Sequence, residues 1–307
     1  MIAGRGATIG LALMAAAMWG LWWAPVRWIE AAGLAGAWSG LAMTAGALPV
    51  FAAAALLARG RAAGRAPAPM AARALLGGVA CGAAVMLYAA ALGFTDVVRA
   101  VLLFYLAPVW STAIECLFLG RRWGWRSGLA LVLCAAGMMA IFRVGLDGGL
   151  GGGVWGIGDS MALGSGLAWS VGTALIFTAP APGTGRLSVA TGLGALAAGA
   201  LVALAGGAAG DLPGAGTLIA ALPVALATGA FYLAPIILIT MWSAQRLPPA
   251  TLSFLLTAEI VSGVVSSALF LDEGFGLPEA LGAVLVTLGA LAEVLPAPRA
   301  RRRRDPA

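Results

Sequence analysis

Ten apolar stretches of roughly twenty residues each occupy almost the whole sequence. A helix needs about twenty residues to cross the hydrocarbon core of a bilayer, so each stretch predicts one transmembrane helix. None alternates polar and apolar residues as a barrel strand would. The sequence therefore predicts an all-α membrane protein, with spans 1 to 10 at residues 7–28, 34–58, 71–94, 97–119, 125–142, 154–178, 187–208, 216–242, 249–271 and 277–296. Span 1 is too long for a cleaved signal peptide, and we expect it to be retained.

The composition indicates that lipid is the solvent. The chain has 307 residues, of which 62% are hydrophobic and 10% charged, whereas soluble domains carry about 25% charged residues. We therefore expect the lipid bilayer to surround the chain. The net charge of +6 comes from arginines in short loops and in the C-terminal tail, so no nucleic-acid partner is predicted.

Two absent residue types narrow the function. All 18 basic residues are arginines and there is no histidine, so a P-loop lysine, a Schiff base, a histidine relay and a Ser-His-Asp triad are excluded. The cysteines Cys81, Cys116 and Cys134 all fall within spans and are typical of small buried hydrophobes. We predict no metal, no cofactor and no enzymatic activity. A membrane enzyme would need clustered Asp, His or Lys at an interface, and the sequence has no such cluster.

Arginine placement predicts the orientation, because positive residues are retained in the cytoplasm. With the N-terminus inside, 15 of the 18 arginines lie on the cytoplasmic side, and only Arg27, Arg99 and Arg143 lie outside. Both termini are then cytoplasmic. The use of arginine without lysine, together with abundant Ala and Gly, suggests a GC-rich bacterial genome, which predicts the bacterial inner (plasma) membrane as the location.

The second half of the chain resembles a copy of the first. A shift of 152 residues lays 103–140 over 255–292, and a shift of 150 lays Trp19 over Trp169. The identical pairs under the shift of 152 include Val109/Val261, Phe118/Phe270, Gly124/Gly276 and Gly137/Gly289. A unit of five spans crosses the membrane an odd number of times, so its copy must be inverted. We predict repeats at 1–147 and 148–298 and a basic cytoplasmic tail at 299–307.

Several short motifs together resemble the EamA-type drug/metabolite transporters. They are Trp19-Gly20, Ala91-Leu92-Gly93-Phe94-Thr95, Tyr105-Leu106-Ala107-Pro108-Val109, Leu119-Gly120-Arg121-Arg122, Ala258-Glu259-Ile260-Val261 and Leu271-Asp272-Glu273. Within that superfamily, 256–261 is most similar to YddG-type exporters of aromatic and other amino acids. Two departures stand out. Arg121 replaces a frequent Glu, and Ile260 replaces a Pro that would kink span 9.

This resemblance implies spans 1–4 and 6–9 around a central cavity, with spans 5 and 10 outside. It implies a secondary transporter that exports small amphipathic metabolites, amino acids including aromatic ones foremost, by alternating access. Other superfamily substrates, such as sugars, nucleotide sugars or drugs, remain open, as do a lipid scramblase and a membrane scaffold. The chain is expected to act as a monomer or a weak homodimer.

Glu259 is the strongest candidate among the ionisable residues, because a carboxylate in the middle of a span costs about 2.5 kcal/mol or more unless it faces a cavity or a partner. It could hold a substrate ammonium or a coupling proton, or it could form a structural hydrogen bond to another helix. Glu115 is expected to snorkel to the interface or to form a local ion pair near Arg121 and Arg122. For Asp159 we expect a structural role at a helix N-terminus. Arg99, at the outer end of span 4, could meet a substrate carboxylate, but a pairing with Asp96 or lipid phosphate is favoured.

Aromatic and proline residues supply the other candidates. Aromatic faces bind ammonium groups and stack on rings, so the predicted substrate-binding residues, besides Glu259, are Trp19, Trp23, Tyr88, Tyr105, Trp169 and Tyr232. Trp22 is equally compatible with the cavity and with the membrane interface, where Trp28, Trp123 and Trp125 are expected. Prolines free a backbone carbonyl and bend helices, and Pro25, Pro108 and Pro235 are predicted gating or kink positions.

Overall fold

The computed structural model describes residues 4–34, 36–58, 68–95, 97–142, 155–179, 182–205, 213–270 and 276–294. Within these ranges the regular structure is entirely helical. The first half contains α1 (Arg5–Gly20), α2 (Trp23–Ala31), α3 (Ala37–Ala58), α4 (Ala68–Ala91), α5 (Val97–Phe104), α6 (Ala107–Phe118) and α7 (Trp125–Ile141). The second contains α8 (Ile157–Thr178), α9 (Thr184–Ala205), α10 (Ala215–Thr228), α11 (Ala234–Ala244), α12 (Pro249–Leu256), α13 (Ala258–Phe270) and α14 (Leu277–Val294).

These helices confirm the predicted membrane-protein class. In the described part of the chain, nine helical segments are long and apolar enough to cross a membrane, and α7 is a shorter apolar helix. Span 1 is formed by α1 and α2, span 4 by α5 and α6, span 8 by α10 and α11, and span 9 by α12 and α13. The remaining spans are single helices. The boundary at 147/148 and the tail 299–307 lie outside the described residues.

Three interruptions lie next to the predicted kink prolines. A proline lacks the amide hydrogen and clashes with the carbonyl four residues earlier. Span 1 breaks at Leu21–Trp22, before Pro25, and span 4 breaks at Tyr105–Leu106, before Pro108. Span 8 instead widens into a π-helical turn at Gly229–Leu233, before Pro235. Proline alone does not decide the outcome, because Pro49 and Pro223 lie inside the continuous helices α3 and α10.

Span 9 is interrupted although Ile260 stands in place of the expected proline. The break falls at Thr257, between α12 and α13. The Thr257 hydroxyl donates to the Phe254 carbonyl at 2.6 Å, and the Ile260 amide donates to the Thr257 carbonyl at 3.1 Å. Threonine hydroxyls that bond back to the preceding turn compete with the helix ladder and bend it. A side-chain hydroxyl therefore accompanies the break here, without a proline.

Glycines allow the central helices to approach at backbone distance. A Cβ on Gly77 of α4 would lie 2.6 Å from the Gly172 carbonyl oxygen of α8, and one on Gly78 would lie 3.0 Å from the Leu187 oxygen of α9. Gly82 and Gly194 make similar contacts between α4 and α9. Small residues permit this close packing in membranes. The tightest contacts in the bundle therefore join helices of the first half to helices of the second.

Helices α7 and α14 pack against each other. Gly137 of α7 faces the Gly282 carbonyl oxygen, whereas Gly289 of α14 faces the Ala130 oxygen. The contact position with the lower number in α7, Ala130, meets the one with the higher number in α14, Gly289, so the two helices are antiparallel. Neither helix lines the central cavity described below.

We call the end of the bundle that carries the α2–α3 and α4–α5 connections the Glu30 end. The opposite end, which carries the α6–α7 connection, is called the Arg121 end.

Candidate functional site

One cavity of about 690 Å³ lies between the helices, which is within the size range of small-molecule sites. It receives residues from α1 to α6, α8, α9 and α11 to α13. At the Glu30 end its lining includes the exposed residues Glu30, Gly36 and Gly93, so it is open there. Towards the Arg121 end its lining is buried, as at Ala107 and Phe51. Among the described lining residues, the cavity is therefore exposed at the Glu30 end and buried towards the Arg121 end.

The tryptophans of span 1 form one wall of the cavity. Trp19, at the end of α1, and Trp22, in the break of span 1, stack with ring centroids 4.8 Å apart. The Trp19 indole donates to the Thr240 hydroxyl at 3.4 Å, and the Trp23 indole donates to Ser266 at 2.9 Å. All three indoles line the cavity. The structure thus places Trp22, whose position the sequence left open, with Trp19 and Trp23.

Glu259 lies in the cavity wall, opposite the break in span 4. It falls in the first turn of α13, directly after the Thr257 break, where the helix dipole favours a negative charge. The Tyr105 hydroxyl donates a hydrogen bond to its Oε1 atom. Both roles predicted for this residue are thus compatible with its position, because it is bonded to another helix and also lines the cavity.

A second aromatic wall surrounds this carboxylate. The ring centroids of Tyr88 and Phe104 are 4.4 Å apart, and those of Phe104 and Tyr105 are 5.2 Å apart in an edge-to-face arrangement. All three residues line the cavity, as does Trp169, which is almost completely buried. The cavity lining therefore brings together Glu259 and five of the predicted aromatic residues, namely Trp19, Trp23, Tyr88, Tyr105 and Trp169.

Tyr232 is placed differently from the prediction. It belongs to the π-helical turn of span 8, and its hydroxyl donates to the Met18 carbonyl of span 1. It is not among the residues that line the cavity. Tyr232 connects two interrupted spans, so its contact is structural. Of the kink prolines, Pro108 lines the cavity, whereas Pro25 and Pro235 lie behind it.

Three serines form a hydrogen-bonded cluster next to the cavity, and one of them, Ser253, is part of its lining. The Ser111 hydroxyl lies 3.1 Å from that of Ser170 and 2.9 Å from that of Ser253. Ser170 also donates to the Ala107 carbonyl at 3.0 Å. This serine cluster joins α6, α8 and α12, and all three side chains are buried. It separates the cavity from the Arg121 end.

An ionic cluster lies beyond the serines. Arg121 pairs with Glu115 at 2.7 Å and with Glu293 at 2.5 Å, which confirms the local pairing predicted for Glu115. It also donates to Ser127 at 2.9 Å, and Glu115 accepts the Ala250 amide at 2.6 Å. Burial lowers the pKa of the Arg121 guanidinium, but the hydrogen bonds and charges of Glu115 and Glu293 outweigh burial and raise it. The cluster ties together the ends of spans 4, 5, 9 and 10.

Asp159 organises the opposite end of the bundle. It accepts the Gly156 amide at 2.8 Å, as the predicted helix-N-terminal role requires, and the Thr95 hydroxyl at 2.7 Å. It also pairs with Arg99 at 2.9 Å. Arg99 therefore meets Asp159 from span 6, whereas the sequence reasoning favoured Asp96, which lies outside the described residues.

Sequence reasoning missed several contributors to the cavity. Phe104 and Glu30 line it, and Thr240 and Ser266 hold its indoles. Glu30 follows the last predicted residue of span 1, so its position was a usable signal, whereas Phe104 resembles any other apolar residue of a span. Within the described ranges, no three His, Cys, Asp or Glu side chains are grouped as a metal site requires.

Helices of membrane-spanning length around an aromatic, carboxylate-bearing cavity define an all-α integral membrane protein with an internal pocket. Residues 6–143 match the model of the EamA-like transporter family. This match covers slightly less than half of the chain and supports the EamA-type drug/metabolite transporter superfamily, whose members are membrane transporters of small metabolites. A solved crystal structure described only as that of a protein has a TM-score of 0.65 and 21% identity, over 94% of this chain and 97% of that chain. This similarity concerns the fold alone. No curated protein matches the sequence.

Proposed function

We propose that this protein exports small amphipathic metabolites, foremost amino acids including aromatic ones, across the bacterial inner membrane by alternating access. The observation that carries the proposal is the cavity itself. It combines stacked indoles, a tyrosine-rich wall and the carboxylate of Glu259 within one pocket, whose described lining is exposed at the Glu30 end. An apolar body would lie against the rings, and an ammonium group would meet the carboxylate.

The orientation follows from the arginines. Of the nine in the described ranges, seven lie at the Arg121 end, namely Arg5, Arg73, Arg121, Arg122, Arg126, Arg186 and Arg246, and two, Arg27 and Arg99, lie at the Glu30 end. By the positive-inside rule the Arg121 end is cytoplasmic. Both termini are then cytoplasmic, and the cavity opens to the outside.

An inverted duplication, with repeats at 1–147 and 148–298, explains how the same cavity could open inward. The break in span 4 begins at Tyr105, and the break in span 9 falls 152 residues later at Thr257. The shift of 152 residues also relates two contacts between α7 and α14. It converts Gly137 into Gly289 and Ala130 into Gly282, and the structure contains both the Gly137–Gly282 and the Gly289–Ala130 contact. Matching positions in oppositely directed helices support two interchangeable states of one site. The serine cluster is the barrier that the inward-open state would have to separate.

Efflux from liposomes tests this proposal. Proteoliposomes loaded with labelled phenylalanine should release it faster than protein-free vesicles, and both Glu259→Gln and Trp19→Ala should slow the release. Trp28→Ala is the matched control, because Trp28 is 62% exposed and lies outside the cavity. Folding of each variant is checked by its elution as a single species. If both cavity variants release phenylalanine at the wild-type rate, the proposed site is wrong.

Sugar phosphates and nucleotide sugars form the alternative substrate class within this superfamily. Their anionic groups require cationic partners in the cavity. No arginine in the described ranges lines the cavity, and Arg99 is already paired with Asp159. These observations favour amino acids over anionic sugars.

A further inference from the structure

The charge of the cavity lining distinguishes the two ends of an amino acid. Among the described lining residues the charged side chains are Glu259 and Glu30, and both are acidic. Arg27 is the nearest cation along span 1, but it lies over the Trp23 ring at 5.5 Å and is not part of the lining. The described lining thus offers partners for a positive group and carries no formal positive charge.

Glu259 has the geometry of an ammonium site. In the described part of the chain, its carboxylate is hydrogen-bonded through Oε1 by Tyr105, which leaves Oε2 for a ligand. The Tyr88, Phe104 and Tyr105 rings next to it form a wall of the same cavity. A carboxylate beside aromatic faces stabilises an organic cation both by charge-assisted hydrogen bonds and by cation–π attraction.

The same surroundings do not favour a substrate carboxylate. Of the three span-1 indoles in the lining, those of Trp19 and Trp23 already donate to Thr240 and Ser266, and the Trp22 indole offers a neutral donor without a positive charge. Near Glu259 a second carboxylate would meet a like charge in a poorly solvated site, which is unfavourable. If it pointed towards the mouth instead, it would approach Glu30.

We propose that the cavity recognises its substrates through the ammonium group alone, and that its preferred substrate class is primary amines with an aromatic or apolar body. The carboxylate of an amino acid is then tolerated and not recognised. This inference rests on the proposed transport through this cavity, and it narrows the substrate class. Amines, amino-acid amides and amino-acid esters bind more tightly than the parent amino acids.

A series of four ligands tests the inference. Phenylalanine, phenylalaninamide, phenethylamine and 3-phenylpropanoate share the aromatic ring and differ in the two charged groups. Binding to the purified protein is measured by calorimetry, with protein-free micelles as the blank for partitioning. We expect phenethylamine and phenylalaninamide to bind about tenfold more tightly than phenylalanine, which corresponds to about 1.4 kcal/mol, and 3-phenylpropanoate to bind most weakly.

Variants of Glu259 show whether the carboxylate is the recognised partner. Glu259→Gln should weaken the binding of both amines about tenfold or more, whereas Glu259→Asp, which keeps the charge, should restore part of it. Counterflow in proteoliposomes, corrected for protein-free vesicles, extends the ranking to transport. Each variant is first checked for an unchanged elution profile and melting temperature, so that loss of fold is not mistaken for loss of recognition.

The possible results separate this inference from the proposed function. If phenylalanine binds more tightly than phenethylamine and is transported, ammonium-only recognition is overturned while amino-acid export stands. If 3-phenylpropanoate binds as well as the amines, the charge argument is wrong. If none of the four ligands binds or exchanges, both the proposed function and the inference fail.

Discussion

Replacing Arg121 with methionine should destabilise the protein by leaving two buried carboxylates unpaired. The Arg121 side chain is 30% exposed, whereas those of Glu115 and Glu293 are 4% and 2% exposed. Removing one partner of a buried ion pair costs about 3–5 kcal/mol. Because water reaches the guanidinium, we reduce the expected loss for Arg121→Met to about 2–3 kcal/mol in the free energy of unfolding.

Neutralising the whole ionic cluster should restore most of that stability. In the triple variant Arg121→Met, Glu115→Gln, Glu293→Gln no buried charge is left without a partner, and glutamine still accepts the Ala250 amide. We expect the triple variant to lie within about 1 kcal/mol of wild type, because neutral replacement of a buried ion cluster is often tolerated.

Unfolding in mixed micelles, followed by tryptophan fluorescence, measures both variants. Arg122→Met is the matched control. It removes the same charge from the adjacent, exposed position, and it should change the unfolding free energy by less than about 0.5 kcal/mol. Equal stability of Arg121→Met and Arg122→Met would refute the reasoning, and so would a triple variant no more stable than the single one.

Two further predictions concern packing and capping. Gly82→Ala should destabilise the bundle by about 1–3 kcal/mol or more, because the new Cβ would overlap the Thr191 carbonyl oxygen. Gly164→Ala is the control and should fold normally, because Gly164 has open space around it. Equal melting temperatures of the two variants would contradict the packing at backbone distance. Asp159→Ala should lower the melting temperature more than Arg99→Met. Both variants lose the ion pair, but Asp159→Ala also removes the helix cap and the hydrogen bond from Thr95. A lower melting temperature for Arg99→Met would show that the ion pair dominates.

The membrane spans were predictable because the bilayer imposes a fixed length on apolar helices. Where both can be compared, the predicted ends lie no more than three residues from those in the structure, as at 34 and Ala37. The breaks at Pro25 and Pro108 were also predictable, since the missing amide and the ring clash are local effects. The break at Thr257 was not, because a threonine hydroxyl bends a helix only in some surroundings.

The candidate site was predictable in its residue types and less so in its partners. Glu259 and Trp169 stand out in sequence because ionisable and large aromatic groups deep in a span need a reason. Which residues meet depends on how each helix is rotated about its axis, and hydropathy carries no information on that rotation. For this reason Arg99 met Asp159 from span 6, and Tyr232 bonded to Met18 and did not line the cavity.

The glycine contacts of α4 imply that α4 is inserted into the membrane before its packing partners have been synthesised. Its closest partners, α8 and α9, form spans 6 and 7, so they leave the ribosome only after the two intervening spans, 4 and 5, have been synthesised. Until then the small-residue faces of α4 have nothing in the nascent chain to pack against, so they must be sheltered by lipid or by the insertion machinery. The first five spans (α1–α7) therefore form an intermediate whose packing is incomplete. If the ribosome stalled before residue 157, the quality-control proteases of the membrane could still remove this intermediate.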